Sequence, residues 1–430
     1  MTELHTLPVE ETAAAPEGEA SWQHAGFLAL NAGSSSLKVA LFPAEGADPL
    51  VTGQADRIGP EGTLVLKDAS GQPLPLAEGG SLGNHESALD LVLATLRQAF
   101  PNLHIAAVGH RVVHGGAEFT APVVITPEVL DKLTALSPFA PLHQPHNVAG
   151  IRAAQEAFPG IPQVACFDTA FHRGQPFVND TFALPHRYYE SGVRRYGFHG
   201  LSYDYVTSEL ARIAPHLMSG RVVIAHLGNG ASMCAIYKGK SVASSMGFSA
   251  LDGLPMGTRC GQVDPGVLLY MLDQEKLNSS QIRQILYNES GLLGLSGGLS
   301  NDMRTLEAAD NAASHRAIDY FVFRVQRELG AMAAVMGGID ALVFCGGIGE
   351  NSRVVRRRVC ERLGWMGIEI DHGRNAESAT IISSEFARTT VMIVRTREDL
   401  VIARAARAAA GVPSAQDDAT SSTPPVLPDL

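Results

Sequence analysis

"LNAGSSSLKVALF", residues 30–42, sets a glycine, three serines and a lysine between two apolar runs. Small residues in series let several backbone N–H groups converge on one anion, and hydroxyls and a lysine extend such a nest. The stretch is not a Walker loop, which needs G-x-x-x-x-G-K-[ST] opening a helix. A tight β-hairpin turn, where Asn and Gly are common, accounts for the same residues. A second stretch, "LGNGASMCAIY" (227–237), has the same build about half the chain away. Laid over the first, it sets Leu227 on Leu30, Gly230 on Gly33 and Ser232 on Ser35. Both read strand, small-residue turn, strand. The pair predicts two related domains, each offering one turn to a shared cleft.

The rest of the chain alternates in kind. "FLALNAG", "IAAVGHRV", "PQVACFD", "RVVIAHLG", "ALVFCGG" and "TVMIVRT" read as buried strands. "NHESALDLVLATLRQAF" has helical periodicity. "TPEVLDKLTAL" has it too, with Thr126 as N-cap and Pro127 in the first turn. "RAIDYFVFRVQRELGAMAAVM" reads as a long apolar core helix. The class is α/β.

The chain has 430 residues, 45% hydrophobic and 18% charged, enough for two domains or more. A net charge of −11 argues against a nucleic-acid partner, which needs clustered Lys and Arg. No apolar run reaches the roughly 20 residues of a membrane span. No signal peptide opens the sequence. Residues 1–21 and 412–430 have the composition of disordered tails. Five cysteines, odd in number and without a CxxC pair, point to a reducing cytoplasm. His143 and His146 lack a third ligand, so no histidine metal site is expected.

Several motifs carry chemistry. "CAIYKGKS" misses the Walker pattern at Cys234, and "GGIGENS" misses a dinucleotide fingerprint at Ser352. The second runs as a Gly-rich loop toward a helix capped by Asn351 or Ser352, and helix starts attract anions. Arg111 in "GHRVVHGG", Arg259 in "MGTRCG" and Arg304 in "SNDMR" sit beside small residues, where guanidinium groups can grip carboxylate or phosphate. Asp168 ends an apolar strand, where α/β sheets place ligands. His199 lies between Phe198 and Gly200.

Together these segments resemble the acetate kinase (acetokinase) family of the sugar kinase/Hsp70/actin superfamily. "FLALNAGSSSLK", "HRVVHGG", "FDTAFH", "YGFHG", "HLGNG", "MGTRCG", "SGGLSNDMR" and "GGIGENS" follow in family order over roughly residues 26–410. The resemblance implies two duplicated actin-like (ribonuclease H-like) domains around a ligand cleft. The boundaries are 22–172, completed by a C-terminal helix at about 400–411, and 173–399. It implies reversible, in-line phosphoryl transfer from ATP to acetate, giving ADP and acetyl phosphate, with Mg²⁺ (or Mn²⁺) as metal and a homodimer as assembly.

By the same resemblance, Asn31 and Glu398 are metal-associated, and Lys38 contacts ATP. His226, Leu227, Gly228, Asn229 and Gly230 form the phosphate loop. Asp302, Met303 and Arg304, with Gly347, Ile348, Gly349, Glu350 and Asn351, bind nucleotide. Ser34 and Ser36 are further hydroxyl donors in the first turn. Arg111 binds substrate, Asp168 is the catalytic aspartate, and His199 and Arg259 stabilise the transition state. The small-acid pocket reads as Val113, Leu142, His143, Phe198 and Ala250.

Acetate is already ionised at neutral pH, so no strong base is needed and Asp168 reads as an orienter. The chain departs from the family at "GFHGLSYDY", with Leu201 and Tyr203 in place of the usual "GFHGTSH". Ala250 replaces a common Pro, leaving propionate or butyrate open as substrates. An ATP-driven switch protein of the Hsp70 or actin kind shares the phosphate turns and is the reading from another class.

Overall fold

The computed structural model describes residues 24–412. The two tails expected to be disordered lie outside the described residues, except Val412. Among the described residues no helix is long and apolar enough to cross a membrane.

Two sheets carry the fold. β1 (Ala25–Ala32), β2 (Ser36–Pro43), β3 (Val51–Asp56) and β4 (Thr63–Asp68) form an antiparallel meander. β5 (His104–Val112) and β7 (Gln163–Phe167) add in parallel beyond β1, and the short β6 (Val123–Val124) closes the edge. β8 (Arg221–Leu227), β9 (Ala231–Tyr237) and β10 (Lys240–Ser244) form the second meander. β11 (Ala341–Cys345) and β12 (Thr390–Ile393) extend it in parallel. The orders β3-β2-β1-β5-β7 and β10-β9-β8-β11-β12 are the same path traced twice. The duplication expected from two short stretches is therefore a property of whole sheets.

Its register needs correcting. β1 and β8 end at Ala32 and Leu227, and β2 and β9 begin at Ser36 and Ala231. The hairpins thus correspond two residues away from the alignment that set Leu227 on Leu30. A shift of two keeps every side chain on its own face, so pattern matching could not detect it.

Central strands are buried on both faces, as parallel strands covered by helices must be. The long helix Ala312–Met336 is capped by Asn311 and lays Phe321, Val325 and Leu329 on the second sheet. The C-terminal helix Glu398–Ala409 instead packs Leu400, Ile402 and Ala406 against Phe27, Ala29 and Ala107 of the first sheet. It lies so close to β5 that a Cβ on Gly109 would sit 2.8 Å from the Ile402 carbonyl oxygen. The helix Gly200–Ile213 serves both sheets: Leu201 joins the first core, while Tyr203, Val206 and Leu210 join the second.

Buried histidines make this packing acid-sensitive. His110 on β5 bonds Gln163 at 2.7 Å, and burial pushes its pKa from 6.5 to about 4. His172 bonds Ser241 and the Phe198 carbonyl, and burial again pushes it to about 4. The unfolded chain takes up these protons as pH falls through 6.5, while the native state refuses them until about 4. Stability is then lost across that window, by on the order of 3 kcal/mol per histidine. Denaturant unfolding at pH 7 and pH 5 should show this loss. His110→Gln, which keeps a donor but cannot titrate, should flatten the slope by roughly one proton; an unchanged slope refutes the assignment.

Candidate active site

The two hairpin turns, residues 33–35 and 228–230, face a cleft between the sheets. The cleft holds two adjoining cavities of about 450 and 410 Å³. Asn31, Lys38, His226, Asn229, Gly230 and Glu398 line both and form the wall between them. Asn31 and Lys38 are cross-strand partners on β1 and β2, so one hairpin delivers both. The first cavity adds Gly228, Gly346, Gly347 and Thr396. The second adds Ser36, Arg111, Val113, His143, Asp168, Phe198, His199, Ala250 and Arg259.

Arg111 and Asp168 stand at the ends of neighbouring strands. The guanidinium meets the carboxylate with Nε at 2.8 Å and Nη2 at 2.7 Å. Burial alone would lower the Arg111 pKa, but Asp168 and Glu398 more than offset it and hold it above its ordinary value. Burial pushes the Asp168 carboxyl upward against the pull of Arg111. Glu398, at the first turn of the C-terminal helix, accepts a bond from the Ser202 hydroxyl. Burial works to raise it, yet Arg111, His226, Ser202 and Lys38 prevail and hold it below the usual carboxylate range.

Arg259 differs from Arg111. It donates to the Ala250 carbonyl at 2.8 Å and makes no ion pair among the described residues. Burial lowers its pKa, but a guanidinium remains charged at neutral pH. His199 sits beside it in the left-handed region, at φ 58°, an uncommon conformation for a residue other than glycine. Local contacts impose it. The Gly200 amide donates to the Asp168 carbonyl at 2.8 Å, and a Cβ on Gly200 would run into that carbonyl. His172 holds the Phe198 carbonyl from the other side. The His199 ring stacks on His226, centroids 4.3 Å apart. Burial, then His226, Arg111 and Arg259, push its pKa well below 6.5, so the ring is neutral. Burial pushes His143 down to about 4.

Some expected residues lie elsewhere. Leu142 lines neither cavity; its side chain is 39% exposed at the start of the helix that follows. Leu227 is fully buried in the second core. Asp302 caps the helix Met303–Ala309 and pairs with Arg304, while Met303 is buried; none of the three lines either cavity. Ser34 is exposed at the turn. The Gly-rich run is not a loop: Gly346–Asn351 is a short helix, broken at Ser352, which caps the helix Arg353–Cys360. Asn351 is not the cap and donates to the Gly347 carbonyl. Ile348 packs on the second core. The Gly349 carbonyl accepts from buried Arg356, and Glu350 accepts from the Gly346 and Thr396 amides. These residues therefore brace the cavity wall from behind.

Sequence reading passed over Ser202, Thr396 and Asn147. Asn147 joins the ends of β1 and β5, donating to the Ala32 carbonyl and accepting from the Val113 amide. Ser202 was legible only as a hydroxyl three residues after His199.

A family model described as the Acetokinase family matches residues 26–404. The chain is 56% identical over 388 residues to the acetate kinase of Methylocella silvestris, covering 88% of this chain and 96% of that one. Among solved structures, a propionate kinase from Francisella tularensis superposes with a TM-score of 0.84 at 37% identity, covering 89% of this chain and 99% of the other. The Porphyromonas gingivalis acetate kinase gives 0.82 at 38%, covering 90% and 99%.

The buried pair has a measurable signature. Arg111→Gln and Asp168→Asn should each destabilise the fold by about 3 kcal/mol, because each strands one buried charge or its partner. The double variant should cost well under the sum, a coupling above 1 kcal/mol in a denaturation cycle. Additive losses would show that the two groups do not depend on each other.

Proposed function

Because the chain belongs to the acetokinase family, we propose that it transfers the terminal phosphoryl group of ATP to the carboxylate of acetate, reversibly, giving acetyl phosphate and ADP. The observation that carries this reading is Arg259, a half-buried guanidinium that makes no ion pair among the described residues and lines the second cavity beside Gly230, which borders both. A cation removed from water in this way calls for an anion. Arg111 uses its Nε/Nη2 edge on Asp168, which leaves Nη1 and the second Nη2 hydrogen to meet a carboxylate. Val113, Phe198 and Ala250 would hold its methyl group, with His143 neutral beside them.

The nucleotide would occupy the first cavity, its phosphates along Gly228–Gly230, Gly346 and Lys38. The moving phosphoryl group carries charge on its equatorial oxygens, so positioning and positive neighbours do most of the work. Arg259 and an N–H of neutral His199 would meet that charge. Asp168 would orient Arg111, not accept a proton. With the boundaries read from the sequence, 22–172 plus the C-terminal helix and 173–399, two lobes would close on the ligands and exclude water between them.

Mg²⁺ fits the wall between the cavities. Glu398 is ionised and fixed by Ser202, and Asn31 faces the same space. No group of three His, Cys, Asp or Glu side chains able to hold a metal occurs among the described residues. One carboxylate suits a cation that keeps waters and binds substrate phosphates. When bound, Mg²⁺ would neutralise phosphate charge.

With ATP, Mg²⁺ and hydroxylamine, the protein should form acyl hydroxamate from acetate and from propionate. Their kcat/KM values should differ by about 10–200-fold, as one methylene allows. Arg259→Ala should lower kcat by about 10²–10³-fold at an unchanged Tm, and Glu398→Gln should raise the Mg²⁺ requirement. ADP release without hydroxamate would favour a switch protein instead.

We further propose a homodimer. None of the helix Pro265–Asp273 is buried, and Leu269 and Tyr270 are 59% and 55% exposed. Apolar helix faces of this kind mark interaction surfaces. Sedimentation should give twice 45.6 kDa, falling to the single-chain mass in Leu269→Glu/Tyr270→Glu. A monomeric native protein at micromolar concentration refutes this.

A further inference from the structure

Tyr203 is fully buried, and its hydroxyl lies 2.5 Å from Ser232 Oγ. Ser232 Oγ in turn lies 2.8 Å from His199 Nδ1. We propose that Tyr203, acting through Ser232, fixes the His199 imidazole as its Nε2–H tautomer, so that both are positioning residues for phosphoryl transfer.

Ser232 is the one hydrogen-bond partner of the Tyr203 hydroxyl among the described residues. The phenol O–H must therefore donate to Ser232 Oγ. The Ser232 O–H then has one acceptor left, His199 Nδ1, and the ring proton sits on Nε2. In this arrangement every proton of the chain is used. The opposite tautomer, with Nδ1–H donating to Ser232, leaves either the serine or the phenol O–H without an acceptor. An orphaned buried donor costs about 1–3 kcal/mol, enough to make one tautomer dominant.

The free nitrogen points where the chemistry is. A Cβ built on Gly230 would lie 3.1 Å from His199 Nε2 and 3.2 Å from Arg259 Nη2. Gly230 lines both cavities, so Nε2–H and Arg259 border one space. His226 stacked on β8, Arg111 on β5, Arg259 and His172 all face the ring and disfavour a second proton. A neutral ring has a single N–H to offer, so the tautomer decides whether the cleft sees a donor or an acceptor. Only a donor suits phosphoryl oxygens. Tyr203, which stands where the resembled motif has His, supplies the first proton of this chain.

The inference rests on the phosphoryl-transfer reading, and the test separates the two. In the uniformly ¹⁵N-labelled full-length protein at pH 7, long-range ¹H–¹⁵N spectra identify His199 by the signals lost in His199→Gln. The expected pattern is a protonated Nε2 and an unprotonated Nδ1. A protonated Nδ1, alone or with Nε2, overturns the proposal whatever the activity. Tyr203→Phe and Ser232→Ala should give mixed tautomers and a kcat lower by about 10–100-fold, by analogy with the partners that orient metal-bound histidines. KM for ATP and acetate should stay within about twofold. Both variants folded, with kcat and ring signals unchanged, would also overturn it. Should the variants not fold, the native spectrum still decides. An Nε2–H ring in a protein that forms no hydroxamate would refute the reaction and leave the tautomer standing.

Discussion

Arg111 is the charge on which the cleft depends. A guanidinium removed from water needs compensation, and here two carboxylates from distant parts of the chain provide it. Asp168 comes from the neighbouring strand and binds it bidentately. Glu398 comes from the first turn of the C-terminal helix. That helix can reach Arg111 only by leaving the second sheet after β12 and packing on the first. Gly109 makes the close approach possible, and Ser202 fixes the carboxylate on arrival. One charge balance thus ties β5, β7, the helix Gly200–Ile213 and the chain's last helix into a single wall.

The rest of the wall comes from duplication. Each sheet ends a meander hairpin at the cleft with a three-residue turn of small residues. Two such turns face one another, so backbone amides and short side chains border the cleft from both lobes. The first turn brings Asn31 and Lys38, the second His226 and Asn229. Neither resembles a self-contained phosphate cradle.

Much of this was legible before any coordinates. Six apolar runs read as strands are strands, and Thr126, read as an N-cap, caps the helix Pro127–Ala135. The failures are equally physical. Four residues of the "GGIGEN" run are not expected to favour a helix on propensity, yet Arg356 and Glu350 hold it in one. The hairpin register slipped by two because a period of two cannot see such a slip.

The amino-acid order by itself determined the α/β class, the duplicated hairpins and the set of arginines, histidines and carboxylates from which a cleft could be built. These are local patterns, and local sterics and periodicity encode them. Only the tertiary structure decided which of those charges neutralise one another, that Arg259 is left over, and which ring nitrogen of His199 faces the cleft. Arg111 meets Asp168 across 57 positions and Ser202 meets Glu398 across 196. Electrostatic compensation acts through space, so no reading along the chain could assign those partners.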